Sequence, residues 1–235
     1  MPRGEPMKRF PDSDLAAAID HAVLKPEAVE ADVRAAAALC RRFGCASLCV
    51  RPCDVPLAAE LLTGSPVAVS TVLSFPHGAD APEIKIAQAR RAVADGATEI
   101  DMVFNIGRFL SGEFSAARVD VRGVVETARE AGAIVKVILE TALIGIDRVA
   151  EACEIARDAG ADFVKTSTGF SPAGGATPEA VAKMVEIVGD VMGVKASGGI
   201  RTRALAETYL RLGASRLGTA STATLLEGKM SDKNG

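Results

Sequence analysis

The 235-residue chain is poor in the residues that most often hold metal ions. It has two histidines, His21 and His77, and neither forms a ligand pair on a helix. Its five cysteines are Cys40, Cys45, Cys49, Cys53 and Cys153. The number is odd and a chain of this size needs no cross-links, so a reduced, cytoplasmic setting is expected. Cys45, Cys49 and Cys53 recur every four residues. The first two fall in a β-favouring run and the third follows Pro52, so the spacing does not gather them on one helix face. They read as small buried hydrophobes, and neither a metal nor another cofactor is expected. Long apolar runs are also missing. None approaches the roughly 18 residues of a membrane helix, and the opening MPRGEPMKRFPDSD lacks the apolar centre of a secretory signal. Nor does one sign of charge dominate. Twenty-seven basic residues face 30 acidic ones for a net charge of −3, which argues against a nucleic-acid or membrane-surface partner.

What remains is an alternation of short β-favouring runs with longer Ala-rich helical ones. Strands are predicted at Ala17–Leu24, Ala46–Val50, Val67–Ser74, Glu99–Phe104, Ile134–Leu139, Phe163–Thr166, Gly193–Ala196 and Ser215–Leu217. Helices are predicted at Pro26–Phe43, Pro56–Leu62, Pro82–Ala94, Ala116–Glu130, Ile146–Asp158, Pro178–Val188, Thr202–Leu212 and Ser221–Leu226. Several strands look apolar throughout, as parallel strands covered by helices do. Eight such units in 235 residues fit a single-domain (β/α)8 TIM barrel. An open doubly wound sheet would carry a glycine fingerprint after its first strand, and AVLKPEA has none. The expected organisation is a flexible segment at 1–14, a barrel at 15–228 and a flexible tail at 229–235.

In such a barrel the chemistry sits at the C-terminal ends of the strands. The polar residues there include Asp20 and His21 with Lys25 beyond, Asp101 and Asn105, Lys136 and Glu140, and Lys165 followed by Thr166 to Gly169. The last strands add Lys195 with Ser197 to Gly199, and Gly218 to Ser221. Lysine inside an apolar strand is rare unless it is paired or functional. A lysine relieved of its proton by burial or by a neighbouring cation attacks carbonyls, so two nearby lysines can divide the work, with a carboxylate to carry protons. The glycine and hydroxyl residues of the last two loops suit a phosphate.

The sequence resembles the deoxyribose-phosphate aldolases, class I Schiff-base lyases, from about Ile19 to Ser221. The motifs that carry the resemblance are IDHAVLKP, SLCVRPCDV, EIDMVFNIG, VKVILET, ADFVKTSTGF and VKASGGIRT. The resemblance implies that Lys165 forms the imine, Lys195 depresses its pKa and Asp101 relays protons. It implies substrate contacts at Thr168, Gly169, Gly198, Gly199, Gly218 and Ser221, the last four around a phosphate. The implied reaction cleaves 2-deoxy-D-ribose 5-phosphate to glyceraldehyde 3-phosphate and acetaldehyde, and the implied partners are these small molecules; a homodimer or higher homo-oligomer is a separate expectation that the resemblance does not supply. Three features depart from the family pattern. Ala22 stands where a threonine is common, Ala220 replaces one of a usual pair of serines, and the tail lacks tyrosine, the only one being Tyr209. A Schiff-base aldolase for another phosphorylated sugar and a barrel kept as a binding protein are the competing readings. A metal-dependent aldolase is poorly served by two scattered histidines.

Overall fold

The computed structural model describes residues 9–228; the expected flexible tail lies outside the described residues. A short helix α1 (Asp12–Ala17) leads into β1 (Ile19–Val23), followed by α2 (Glu30–Phe43), β2 (Ser47–Val50), α3 (Val55–Leu62), β3 (Ala68–Leu73), α4 (Pro82–Ala94) and β4 (Glu99–Val103). Then come α5 (Ile106–Leu110), α6 (Phe114–Arg129), β5 (Ile134–Ile138), α7 (Thr141–Ile144), α8 (Val149–Asp158) and β6 (Phe163–Lys165). The chain closes with α9 (Pro178–Val188), β7 (Gly193–Ser197), α10 (Arg203–Arg211), β8 (Arg216–Thr219) and α11 (Thr222–Glu227). Each strand runs parallel to the next and β8 pairs with β1, so the sheet closes into a (β/α)8 barrel.

Local chemistry sets most boundaries. Pro82 and Pro178 occupy the first turns of α4 and α9, where a missing N–H costs nothing. The Ala180 N–H donates to Thr177 Oγ1 at 3.1 Å and the Leu205 N–H to Thr202 Oγ1 at 3.3 Å, capping α9 and α10. Such caps contribute about 1 kcal/mol each.

Three expectations are corrected. Residues 12–14, placed in a flexible segment, open α1, because Arg203 binds Asp12 Oδ1 and the Phe10 carbonyl, both at 2.6 Å. The helix expected from Pro26 begins at Glu30. The Pro26 carbonyl accepts from Arg51 at 2.9 Å, and Asp32 Oδ2 accepts the Val29 N–H at 2.9 Å, fixing the start there. Two short helices, α5 and α7, stand where none was predicted. At five and four residues they are too short to show a helical period.

The barrel interior is not apolar. Along β4, Ile100 and Met102 join the apolar layer, while Glu99 and Asp101 alternate with them and face inward. Asp101 touches lysines on β6 and β7, and Glu99 touches Arg216 on β8, which is reachable only across the barrel axis. Lys136 on β5, Lys165 on β6 and Lys195 on β7 behave alike, with their apolar neighbours Val137, Val164, Val194 and Ala196 buried on the other side. The strands that read as apolar runs are therefore apolar outside and charged inside.

His21 points out of the barrel and is buried against α11, its Nδ1 2.8 Å from Thr222 Oγ1. Burial lowers its pKa from 6.5 to about 4. The unfolded chain therefore binds a proton more readily than the folded one. Stability from this residue is complete above pH 6.5 and is lost as pH falls towards 4, by about 3 kcal/mol at most. Urea midpoints measured between pH 7 and pH 4 should fall accordingly, and a His21→Gln variant should flatten that decline.

Candidate active site

Seven charged side chains from six strands meet inside the barrel. Lys165 Nζ lies 2.7 Å from Asp101 Oδ2, and Lys195 Nζ lies 2.7 Å from the same oxygen. Lys136 Nζ is 2.9 Å from Asp101 Oδ1 and 2.5 Å from Glu99 Oε2. Asp20 Oδ2 is 2.5 Å from Lys195 Nζ, and Arg216 binds both Asp20 and Glu99, at 2.5 and 2.9 Å. Asp20 comes from β1, Glu99 and Asp101 from β4, the lysines from β5, β6 and β7, and Arg216 from β8. Each strand delivers its residue by alternation alone.

Four cations thus face three carboxylates. Buried charge is tolerated only when paired, so a fully ionised set would carry one uncompensated positive charge. The pairing shows where relief is cheapest. Lys136 has Glu99 and Asp101, Lys195 has Asp20 and Asp101, and Arg216 has Asp20 and Glu99. Among the described residues Lys165 has only Asp101 Oδ2, which it shares with Lys195.

The titration directions follow. Burial pulls the Lys165 pKa down, and the Lys195 charge adds to that against the attraction of Asp101, leaving it below the ordinary lysine value. Burial also disfavours the Lys195 ammonium, but Asp101 and Asp20 outweigh it and its pKa is raised. Burial works against the Asp101 carboxylate, yet Lys136, Lys165 and Lys195 hold it well below the carboxylate range. The cluster therefore holds a neutral-prone amine beside a persistent ammonium and a persistent carboxylate.

A cavity of about 330 Å³ opens over this cluster at the C-terminal ends of the strands. Of the nine residues expected at a site, eight line it: Lys165, Lys195, Thr168, Gly169, Gly198, Gly199, Gly218 and Ser221. Asp101 lies fully buried beneath, in contact with both lysines. Ala22 and Ala220, two of the three departures from the family pattern, also line the wall. Gly198 and Gly199 both have left-handed backbones, with φ of 88° and 81°. Their N–H groups find no protein acceptor among the described residues, whereas the Ser221 N–H donates to Thr219 Oγ1 at 2.9 Å. Lys25 and Arg201 stand at the same cavity.

Several residues escaped the sequence reading. Glu99 and Arg216 support the cluster from below, and Cys49, read as a plain hydrophobe, lines the cavity. The usable signal was the spacing Glu99-x-Asp101, which places both carboxylates on one face of a strand. Gly218 acts as more than a loop residue: a Cβ there would lie 2.8 Å from Ser197 Cβ and 3.1 Å from Lys195 Cε.

A family profile described as "DeoC/LacD family aldolase" matches residues 15–220. The chain belongs to that family. Family relatives include the deoxyribose-phosphate aldolase of Clostridium perfringens, 47% identical over 218 residues that cover 93% of this chain and 96% of the relative. The deoxyribose-phosphate aldolase of Geobacillus is 45% identical over 223 residues, covering 95% and 99%. Among solved structures, the tetrameric deoxyribose phosphate aldolase of Aeropyrum pernix superposes with a TM-score of 0.86 at 35% identity, covering 93% of this chain and 92% of that one.

Gly218→Ala should displace the Lys195 side chain. A misplacement of about 1 Å at a catalytic group costs on the order of 100-fold in rate. Steady-state kinetics of the alanine variant should show a lower kcat with a thermal midpoint close to that of the parent.

Proposed function

We infer that the chain is a class I aldolase that cleaves 2-deoxy-D-ribose 5-phosphate reversibly to D-glyceraldehyde 3-phosphate and acetaldehyde. Its relatives carry this activity in their names, over almost their whole length. The observation that supports the mechanism best is the shared carboxylate oxygen. Lys165 and Lys195 both reach Asp101 Oδ2, and Lys195 alone of the two has a second carboxylate.

On this reading neutral Lys165 attacks the C1 aldehyde of the open-chain sugar, giving a carbinolamine and then, with loss of water, an imine. The imine draws the electrons of the C2–C3 bond as it breaks, while the C3 hydroxyl gives up its proton. Glyceraldehyde 3-phosphate leaves, and the remaining enamine is protonated at C2. Water then hydrolyses the imine to release acetaldehyde and regenerate the amine. Asp101 contacts Lys165 directly and is placed to pass protons to and from the nitrogen. Lys195 stays cationic. At pH 7 an unperturbed lysine is only about one part in 2,500 neutral, so the nucleophile depends on this neighbour. The phosphate is assigned to the Gly198-Gly199 turn and the Gly218–Ser221 loop, with Arg201 and Lys25 as cations at the mouth. Backbone N–H donors there bind an anion without a long side chain to order.

Cytoplasmic location is proposed from the odd number of thiols, and no helix among the described residues is long and apolar enough to cross a membrane. A homo-oligomer is proposed from the likeness to the tetrameric Aeropyrum pernix enzyme. Light scattering should give a mass at least twice that of the 24.3 kDa chain.

Borohydride reduction in the presence of acetaldehyde, followed by peptide mass mapping, should place the adduct on Lys165. An adduct on another lysine overturns the mechanism. Lys195→Met should raise the Lys165 pKa, because a neighbouring cation is removed and Asp101 is left to Lys165. The acid limb of the pH–rate profile should move up by about 1–3 units, with activity recovering as pH rises. A fall in kcat with no movement of that limb would assign Lys195 a different part.

A further inference from the structure

Glu140 follows β5 and takes no part in the charge cluster. Its backbone is left-handed, with φ 51° and ψ 62°, a conformation that a side-chain-bearing residue keeps only when its surroundings hold it there. Its side chain is buried at 2% exposure. One carboxylate oxygen, Oε2, accepts from the Thr168 N–H at 3.1 Å and from the Thr168 hydroxyl at 2.5 Å. Thr168 lies three residues beyond Lys165 and lines the cavity. Its Oγ1 in turn accepts the Phe170 N–H at 3.1 Å.

These contacts assign the hydroxyl a direction. A hydroxyl has one hydrogen and two lone pairs. The hydrogen points at Glu140, an acceptor that has no proton to give while ionised, and one lone pair faces Phe170. A single lone pair is left, so towards the cavity Thr168 can accept a hydrogen bond and cannot donate one.

We propose that Glu140 is a positioning residue that fixes Thr168 as a pure acceptor, so that the site prefers an acceptor aldehyde carrying a hydroxyl next to its carbonyl. The inference rests on the aldolase reading above. Glyceraldehyde 3-phosphate brings two oxygens near the new bond. Its carbonyl oxygen needs a donor, which Thr168 does not offer. The adjacent hydroxyl is a donor, and it matches the remaining lone pair. Without Glu140 the Thr168 hydroxyl is free to rotate, and it loses both its fixed direction and its preference.

The test runs the reaction in the synthetic direction, with acetaldehyde and either D-glyceraldehyde 3-phosphate or 3-phosphooxypropanal, which lacks only the adjacent hydroxyl. The readout is the ratio of the two kcat/KM values. One neutral hydrogen bond supports a preference of about 10-fold. Glu140→Met and Thr168→Val should each bring the ratio towards one, and the double variant should go no further. Glu140→Gln keeps an accepting oxygen and should retain the preference. Glu140→Gly suits the left-handed backbone and removes the carboxylate without that strain, so it gives the same reading should the methionine variant not fold. The proposal is overturned if the Glu140 variants keep the preference that Thr168→Val loses, or if Thr168→Val keeps it too. Borohydride trapping of acetaldehyde involves neither hydroxyl, so every variant should still label Lys165. Loss of that label, or its transfer to another lysine in the parent protein, is a failure of the aldolase reading instead.

Discussion

Asp101 is the point on which the barrel interior closes. One of its oxygens receives Lys136 and the other receives both Lys165 and Lys195, so a single carboxylate ties together β4, β5, β6 and β7. Breaking such a buried pair from one side typically costs about 3–5 kcal/mol, because the partner is left charged and dry. The remaining groups follow from this constraint. Glu99 and Arg216 occupy Lys136 and Asp20 from below, and Asp20 gives Lys195 the second anion that Lys165 lacks. The interior of many barrels is filled with branched aliphatics. Here it is filled with ions, and their imbalance falls on the residue with the fewest partners.

The loops above the cluster are held by backbone contact. A Cβ on Gly175 would lie 2.3 Å from the Gly198 carbonyl oxygen, and the Ala176 N–H donates to the Ser197 carbonyl at 2.9 Å. The segment after β6 therefore lies directly on the turn assigned to phosphate. Tyr209 on α10 donates to the Ala176 carbonyl at 2.7 Å and holds that segment from the far side. The lysine-bearing strand, the loop beyond it and the Gly198-Gly199 turn are thus one packed unit, which fixes the distance between Lys165 and that turn.

The barrel was legible because its signals are local. Pro82, Pro178 and Thr202 mark helix starts in the sequence itself, and the two-residue alternation survives in EIDMV and VKVILE. Lys165, Lys195 and Asp101 were visible as charges in apolar surroundings. What the sequence did not show is set by closure of the sheet. Glu99 and Arg216 are 117 residues apart and meet only because β4 and β8 face each other across the axis. Taken alone, Arg216 is an ordinary polar residue at a strand start. The late start of α2 depended likewise on Arg51 capturing the Pro26 carbonyl from 25 residues away. Cys49 is buried, as its apolar setting suggested, but its place at the cavity was not visible, because its sequence neighbours Leu48 and Val50 face the helices while its own side chain faces the cavity.

The Tyr209 contact also has an optical consequence. The chain has no tryptophan and one tyrosine, so near-ultraviolet absorption and emission come almost entirely from this single phenol. That phenol is buried and bonded to the segment that covers the Gly198-Gly199 turn. Its emission is therefore an intrinsic, label-free gauge of whether that segment is seated, in a protein otherwise nearly silent at those wavelengths.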